Sequence, residues 1–397
     1  DKEKTRLKLQ ERKINHMKLL YFIPALYNHG GMERVLTQKI NYLAEYLGYE
    51  IDVITTEQKH QPCAFSLSGK VRLFHLDLNF NDHYDQSLIF KMINHYAKLR
   101  RYKKEIYKIL ETEKPDIVIS LGGKEIDFLY KLKTNAGKVC EMHFSMNVRK
   151  QFLDSRKHGF VWKLIGTLRT NQLKKVTKTL DKLIVLTNQD KIQWESTHKN
   201  VLHIVNPNPF VTQSEKRTDS KTVISVGRLD AQKGYDLLID AWKLVVEKHP
   251  DWKLNIFGTG ELEHELRNKI RIFDLDDKIE LKGLSKEIEK EYMASSFFVM
   301  SSLYEGLPMV LLEAMSCGLP VVSFDCEWGP REVIQNERNG FLVPAKDYIK
   351  LADQINILIE NRQLRNEMSN EAVRTSKKYD IAKVMRQWDE MFKSLIN

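Results

Sequence analysis

The chain has 397 residues, 42% hydrophobic and 29% charged, with a formal net charge of +10; this predicts two or three domains and excludes a mostly disordered or collagen-like protein. No run approaches the ~18–20 uninterrupted apolar residues of a spanning helix, and residues 1–16 lack the apolar centre of a secretory signal. Cys63, Cys140, Cys317 and Cys326 form no CxxC pair, which argues against a disulfide framework or a cysteine zinc site and for a reducing compartment.

Residues 1–16 are charged and are expected to be a basic leader, a remnant of expression or a mobile arm, with Met17 as a native start. From there apolar runs that suit strands fall near 18–23, 51–56, 71–76, 116–120, 138–142, 182–186 and 201–205. Helical patterns lie between them at 32–47, 87–112 and 147–180. The second half repeats the scheme. Strands fit 222–227, 252–257, 278–282, 296–300, 320–323 and 340–343, and helices fit 235–248, 260–272, 285–294, 308–317 and 347–360. Alternating strands and helices predict parallel sheets covered on both faces. The fold class is therefore α/β, with two doubly wound Rossmann-like domains facing across a cleft. Asn206-Pro207-Asn208-Pro209 cannot continue a helix or a central strand. It separates an N-terminal domain at 17–208 from a C-terminal one at 209–377. The helical pattern at 378–397 could cross back to the first domain.

Ligands of open α/β sheets bind outside the carboxyl ends of the strands, and four motifs stand at such ends. Asn28-His29-Gly30-Gly31-Met32-Glu33-Arg34 follows the first strand. Its glycines allow close approach of a ligand, and the next helix offers free amides to an anion; taken alone it also reads as a tight turn. Gly227-Arg228-Leu229-Asp230-Ala231-Gln232-Lys233-Gly234 opens the second domain and sends two cations toward the cleft, a planar fork and a point charge suited to phosphate. Gly258 and Gly260 follow the next strand, without the third glycine of a dinucleotide fingerprint. In the fourth motif, Glu305-Gly306-Leu307-Pro308-Met309-Val310-Leu311-Leu312-Glu313, a proline suits the first turn of a helix. Its helix N-terminus favours phosphate, and two carboxylates can reach one ligand from loop and helix.

That last string, with Gly318-Leu319-Pro320-Val321-Val322 after it, resembles the E-x7-E signature of retaining glycosyltransferases of the GT-B fold, and more narrowly the large family 4. Gly227-Arg228-Leu229 with Gln232-Lys233-Gly234 is similar to that family's Arg/Lys pair, and Gly30-Gly31 to its glycine loop. Glu327-Trp328-Gly329-Pro330-Arg331-Glu332 and Asn339-Gly340-Phe341-Leu342-Val343-Pro344 resemble its tail. The resemblance spans residues 17–397. It implies a nucleotide-sugar donor held mostly by the second domain and no cofactor. Arg228 and Lys233 would bind the donor diphosphate, amides of 307–310 would add dipolar stabilisation, and Glu313 would bond the ribose. Glu305 would hold the sugar hydroxyls, and Gly31 would lie near the phosphates. His143, at the end of the fifth strand, matches the family's cleft histidine. Gly258 and Gly260 are carried as donor-side positions. Metal is not needed by this plan, and Asp274-Leu275-Asp276 reads as a surface turn.

The positive charge is concentrated in the first half: Arg149–Lys199 carries twelve Lys/Arg against four Asp/Glu. In 147–180 the aromatics Phe152, Phe160 and Trp162 stand among these cations. Such a stretch suits an anionic membrane interface; the alternative is an ordinary helix packed on the sheet. The expected acceptor is a glycan or lipid-linked glycan, and the expected place is the cytoplasm or the inner face of the membrane. Gly329-Pro330 favours a UDP-linked hexose or N-acetylhexosamine over GDP-mannose. The alternatives are a nucleotide-sugar epimerase or a sugar phosphorylase of the same fold. A non-enzymatic polyanion binder would leave the C-terminal constellation unexplained, and no nucleic-acid-binding motif is present.

Overall fold

The computed structural model describes residues 17–80, 88–144, 146, 160–210 and 220–396. The first half runs β1 (Lys18–Ile23), α1 (Gly31–Tyr46), β2 (Glu50–Thr55), β3 (Val71–His75), α2 (Leu88–Glu113), β4 (Ile117–Ser120), α3 (Ile126–Leu129), β5 (Gly137–Met142), α4 (Phe160–Thr177), β6 (Lys182–Val185), α5 (Asn188–Glu195) and β7 (Val201–His203). The second runs β8 (Thr222–Val226), α6 (Tyr235–Lys248), β9 (Lys253–Phe257), α7 (Glu263–Ile272), β10 (Ile279–Gly283), α8 (Ile288–Ala294), β11 (Phe297–Met300), α9 (Met309–Ser316), β12 (Val321–Asp325), α10 (Pro330–Val333), β13 (Gly340–Pro344), α11 (Tyr348–Glu360) and α12 (Arg362–Ser376). A 3-10 turn at Lys377–Tyr379 leads into α13 (Ile381–Ser394).

Both sheets are parallel throughout. The first has the order β3-β2-β1-β4-β5-β6-β7 and the second β10-β9-β8-β11-β12-β13. Each starts in the middle and reverses direction once, between β1 and β4 and between β8 and β11. A crevice opens at such a reversal, at the carboxyl ends of the strands. The central strands are buried on both faces, as parallel sheets require: every residue of β4 and β11 is buried. On the second sheet, α6 and α11 supply Trp242, Val245, Leu351 and Leu358 to one face. Leu311, Leu312, Met315 and Ala372 from α9 and α12 cover the other.

The final helix belongs to the other core. Val384, Met385, Trp388, Met391 and Phe392 of α13 are buried with Leu36, Ile40 and Leu43 of α1. Their spacing puts them on one helical stripe. The Asn208 N–H donates to the Tyr379 carbonyl at 2.7 Å, so the outgoing and returning crossings of the chain lie side by side. At the same crossing Gln38 Nε2 donates to the Pro209 carbonyl at 2.8 Å, and the Asn208 side-chain oxygen accepts from the Phe210 N–H at 3.2 Å.

The expected strands are all present, with ends shifted by about two residues or fewer. Among the described residues, two helices of eight residues or more have no counterpart in the sequence reading, α5 and α12. The helix expected at 147–180 is described as α4; residues 147–159, including Phe152, lie outside the described residues. Asp274 and Asp276 lie in the turn between α7 and β10, at the end of the sheet away from the crevice. Among the described residues no helix is long and apolar enough to cross a membrane.

Candidate active site

The loops after β8 and β11 are stitched together. Leu303 N–H donates to the Gln232 carbonyl at 2.8 Å, and the Ser301 hydroxyl donates to the Lys233 carbonyl at 2.8 Å. Gly234 has φ +59°, and a Cβ there would run into the Ser301 carbonyl; only glycine lets the two loops close up. The result is that Lys233 meets Glu305. Its Nζ stands 2.6 Å from Glu305 Oε1, with the carboxylate 8% exposed. Gln232 Nε2 donates to the Tyr304 carbonyl at 3.0 Å and reaches Glu305 Oε2 at 3.5 Å. Arg228 is not drawn into this cluster. Its guanidinium lies 3.2 Å from Asp230 and 3.3 Å from Gln232 Oε1, with the side chain 72% exposed. A semi-buried Lys–Glu pair thus has an open, tethered guanidinium on its flank.

Gly258 and Gly260 serve the neighbouring backbone. Gly258 has φ +137°, and a Cβ on it would strike the Gly227 carbonyl; one on Gly260 would strike that of Leu229. On the side where a Cβ would stand, both glycines face the loop that carries Arg228.

Two helix N-termini converge above the pair. Gly31 begins α1 and Met309 begins α9, and neither N-cap residue, Gly30 or Pro308, supplies a side-chain hydrogen bond. The amides of their first two residues have no intrahelical acceptors, and both dipoles put positive ends there. A Cβ on Gly31 would stand 3.8 Å from the Met309 side chain, so the two ends face each other across the cleft. Gly306 meets the first domain still more closely: a Cβ would collide with the His143 carbonyl, and one on Gly329 (φ +87°) would collide with the Gly306 carbonyl. His143, Gly306 and Gly329 form a stack in which two of the three must be glycine.

His143 is buried, and its Nε2 lies 3.3 Å from Glu141 Oε1. Lys39 of α1 reaches the same oxygen at 2.6 Å, and its ammonium sits 3.5 Å from the centre of the Trp388 ring. Burial works to raise the Glu141 carboxyl, but Lys39 and His143 outweigh it and bring it down to about 2. Glu141 is therefore a buried anion that ties α1, the end of β5 and α13 together. Glu313 stands one turn into α9 beyond Met309, on the same face. Its Oε1 accepts from Arg34 of α1 at 3.0 Å and its Oε2 from the Tyr292 hydroxyl at 3.0 Å. Ser120, Gly122 and Gly123, at the end of β4, are held by one another and by buried Glu125.

Beside this cluster a cavity of about 480 Å³ opens between α5 and the segment after β12, lined among others by Gln189, Gln193, Cys326, Trp328 and Arg331. Burial, with the charge of Glu305 nearby, pushes the Cys326 thiol up. Asp190 of α5 is pushed up to about 7, chiefly by burial.

Residues 209–375 match the family described as Glycosyl transferases group 1. An uncharacterised glycosyltransferase of Haemophilus influenzae is 30% identical over 376 residues, 94% of this chain and 98% of its own. The chain belongs to the group 1 glycosyltransferases. A Campylobacter jejuni relative is 24% identical over 389 residues, 96% of this chain and all of its own. It is named as an α-1,4-N-acetyl-D-galactosaminyltransferase that acts on a diNAcBac-PP-undecaprenol-linked sugar. Among solved structures, a variant of Staphylococcus aureus TarM in complex with fondaparinux, α-GlcNAc-glycerol and UDP superposes with a TM-score of 0.75 at 17% identity, covering 95% of this chain and 99% of the other. Anabaena HepE in complex with UDP and glucose gives 0.70 at 18% identity, covering 96% and 100%. These glycosyltransferases share the two-domain GT-B fold with this chain.

Of the residues singled out in the sequence, Lys233, Glu305 and Gly306–Val310 come together on the second domain, with Arg228 at the rim. Gly31 and His143 face them from the first domain. Sequence reasoning missed Arg34, Tyr292, Lys39 and Glu141. Arg34 stood inside a motif already noted; Lys39 and Glu141 carried no signal, because each reads as a solvated charge on an amphipathic segment.

Proposed function

We propose that this group 1 glycosyltransferase moves a hexose or N-acetylhexosamine from a UDP-sugar to a glycan or lipid-linked glycan acceptor in surface polysaccharide or glycoconjugate synthesis. The observation that carries the donor site is the Lys233–Glu305 pair with Arg228 beside it, beneath two uncapped helix N-termini. Arg228, Lys233 and the amides of Leu307–Val310 bind the diphosphate. The bond from the sugar C1 to the diphosphate oxygen breaks with its electron pair on that oxygen. Charge therefore grows where preorganised cations and amides already point, and stabilisation is greatest in the transition state. Glu305, oriented by Lys233 and Gln232, accepts hydrogen bonds from the sugar hydroxyls. Glu313 takes the ribose diol. His143, fixed by Glu141, lies against the sugar. The acceptor hydroxyl attacks C1 from the face the diphosphate leaves and hands its proton to the departing phosphate oxygen, so configuration is retained. No residue in this scheme needs a metal.

The UDP found with TarM and HepE supports the nucleotide, and the undecaprenol-linked acceptor of the Campylobacter relative supports the acceptor class. We further propose a cytoplasmic enzyme that attaches peripherally to an anionic membrane through the basic stretch that includes α4.

The test is nucleotide release from UDP-glucose, UDP-galactose, their N-acetyl forms and GDP-mannose, with wild type, Glu305→Ala and Arg228→Ala. One donor should be hydrolysed slowly, and each substitution should lower the rate at least about 100-fold, the scale of losing one transition-state donor for Arg228→Ala and of misplacing the sugar for Glu305→Ala. A product with inverted anomeric configuration would refute retention. A modified free sugar formed without acceptor would indicate an epimerase instead. If no donor turns over and none raises the melting temperature, the donor-site assignment falls. Loss of sedimentation with anionic liposomes at physiological salt would remove the membrane reading alone.

A further inference from the structure

Glu313 is held by two donors from different places. Tyr292 is fully buried on α8 and donates to Oε2 at 3.0 Å. Arg34 comes from α1 in the other domain, 279 residues away in sequence, and donates from Nη1 to Oε1 at 3.0 Å. Arg34 is itself fixed by more than charge. Its guanidinium carbon lies 5.3 Å from the centre of the Phe65 ring and 5.1 Å from that of Phe210. The Phe210 ring in turn meets the Tyr292 ring edge-on, with centres 6.1 Å apart. Arg34, Phe210, Tyr292 and Glu313 therefore close a ring of contacts at the point where the chain crosses between domains. A guanidinium near an aromatic face keeps its planar fork in one orientation.

A carboxylate offers about four lone-pair positions, two on each oxygen. Arg34 and Tyr292 each use one, on different oxygens. One position on each oxygen remains for a ligand that presents two adjacent hydroxyl donors, which is the chemistry of a ribose 2′,3′-diol. We propose that Arg34 is a positioning residue that orients Glu313 from the opposite domain and so sets the enzyme's preference for a ribonucleotide over a deoxyribonucleotide. This rests on Glu313 meeting the donor ribose. It adds that recognition of the ribose, a property of the second domain's helix, depends on the placement of a side chain from the first.

The experiment measures binding of UDP and 2′-deoxy-UDP by calorimetric titration to the full chain, in wild type, Arg34→Ala, Arg34→Lys, Tyr292→Phe and Glu313→Gln. Wild type should prefer UDP by about tenfold or more, the scale of a hydrogen bond to a charged group. Arg34→Ala should weaken UDP, which bonds Glu313 through two hydroxyls, by more than 2′-deoxy-UDP, which keeps one, so that the ratio falls toward one. Arg34→Lys should recover part of the ratio, and Tyr292→Phe should lower it less than Arg34→Ala does. A loss shared equally by both nucleotides, or a ratio unchanged in Arg34→Ala, overturns the proposal, since a structural or phosphate-binding role would give one of those. If Arg34→Ala does not fold, Arg34→Lys and Tyr292→Phe decide it: unchanged ratios in both overturn it. An unchanged ratio in Glu313→Gln places the ribose elsewhere and removes the underlying reading instead. If UDP does not bind, GDP and 2′-deoxy-GDP replace the pair; failure of both nucleotides overturns donor site and proposal together.

Discussion

Replacing Lys39 by methionine would leave Glu141 as a carboxylate without its ammonium partner inside the first domain. The two side chains are at most 1% exposed, with Nζ 2.6 Å from Oε1. Burial lowers the Lys39 ammonium from its ordinary value, with Glu141 offsetting part of the effect. Glu141, pushed the other way by burial, is nonetheless brought down to about 2 by Lys39 and His143. As a pair the two charges roughly offset their own desolvation. Removing one partner is different, because the remaining carboxylate is buried with only the His143 ring beside it, at a cost of about 3–5 kcal/mol. For a cooperative unit of this size that lowers the melting temperature by roughly 10 °C. Lys39→Met with Glu141→Gln should regain most of the loss, since the buried charge goes with its partner. The pH dependence has a definite sign. A carboxyl whose folded value of about 2 lies below its ordinary ~4.3 contributes stability that is full above the ordinary value and lost as pH falls toward 2. In Lys39→Met this acid-side loss shrinks, so the gap to wild type should narrow between pH 7 and pH 3. Calorimetric melts of wild type, both single variants and the double variant across that range check this. A drop below about 2 °C for Lys39→Met at pH 7, or a double variant no more stable than Lys39→Met, would refute the reasoning.

Gly306→Ala should lower donor hydrolysis by at least about tenfold, because the added methyl meets the His143 carbonyl and must push the loop between Glu305 and α9 by more than the ~0.5 Å an active site tolerates; unchanged turnover would show that the domains do not close as tightly as described. Asp190, raised above its ordinary value to about 7 by burial, contributes stability that is full below the ordinary carboxyl range and lost as pH rises through 7. Asp190→Asn should therefore gain on wild type in melting temperature between pH 5 and pH 8, and parallel curves would argue against a buried neutral carboxyl.

Much of the fold was legible because its signals are local. A strand buried on both faces is a short apolar run wherever it sits, and glycine and proline punctuate turns through their own backbone limits. Hence β1–β13, the loop of Arg228 and Lys233, and the Glu305–Glu313 string could all be read in place. The helices α5 and α12 could not. Most of the residues that α12 buries are not strongly apolar (Met368, Ser369, Ala372, Thr375 and Ser376), so it has almost no apolar stripe and is helical because α9 lies beside it. Why Gly258 and Gly260 are glycine is a tertiary fact: a Cβ on either would strike the carbonyl of Gly227 or Leu229 on the neighbouring loop.

Side-chain partners distant in sequence, within the first domain and across the cleft, were decided by tertiary structure alone. Lys39 and Glu141 are 102 residues apart and Arg34 and Glu313 279; no periodicity relates such pairs. A lysine or glutamate on an amphipathic segment is most often solvated, and the sequence supports that reading until the domains pack. What the sequence by itself determined was the kind of surface each half would present at its strand ends: phosphate-directed cations, free amides and two carboxylates. Which charges stay open to a substrate and which are spent on one another depends on the distances between segments, and those exist only once two sheets, two crossings and a returning helix have been packed together.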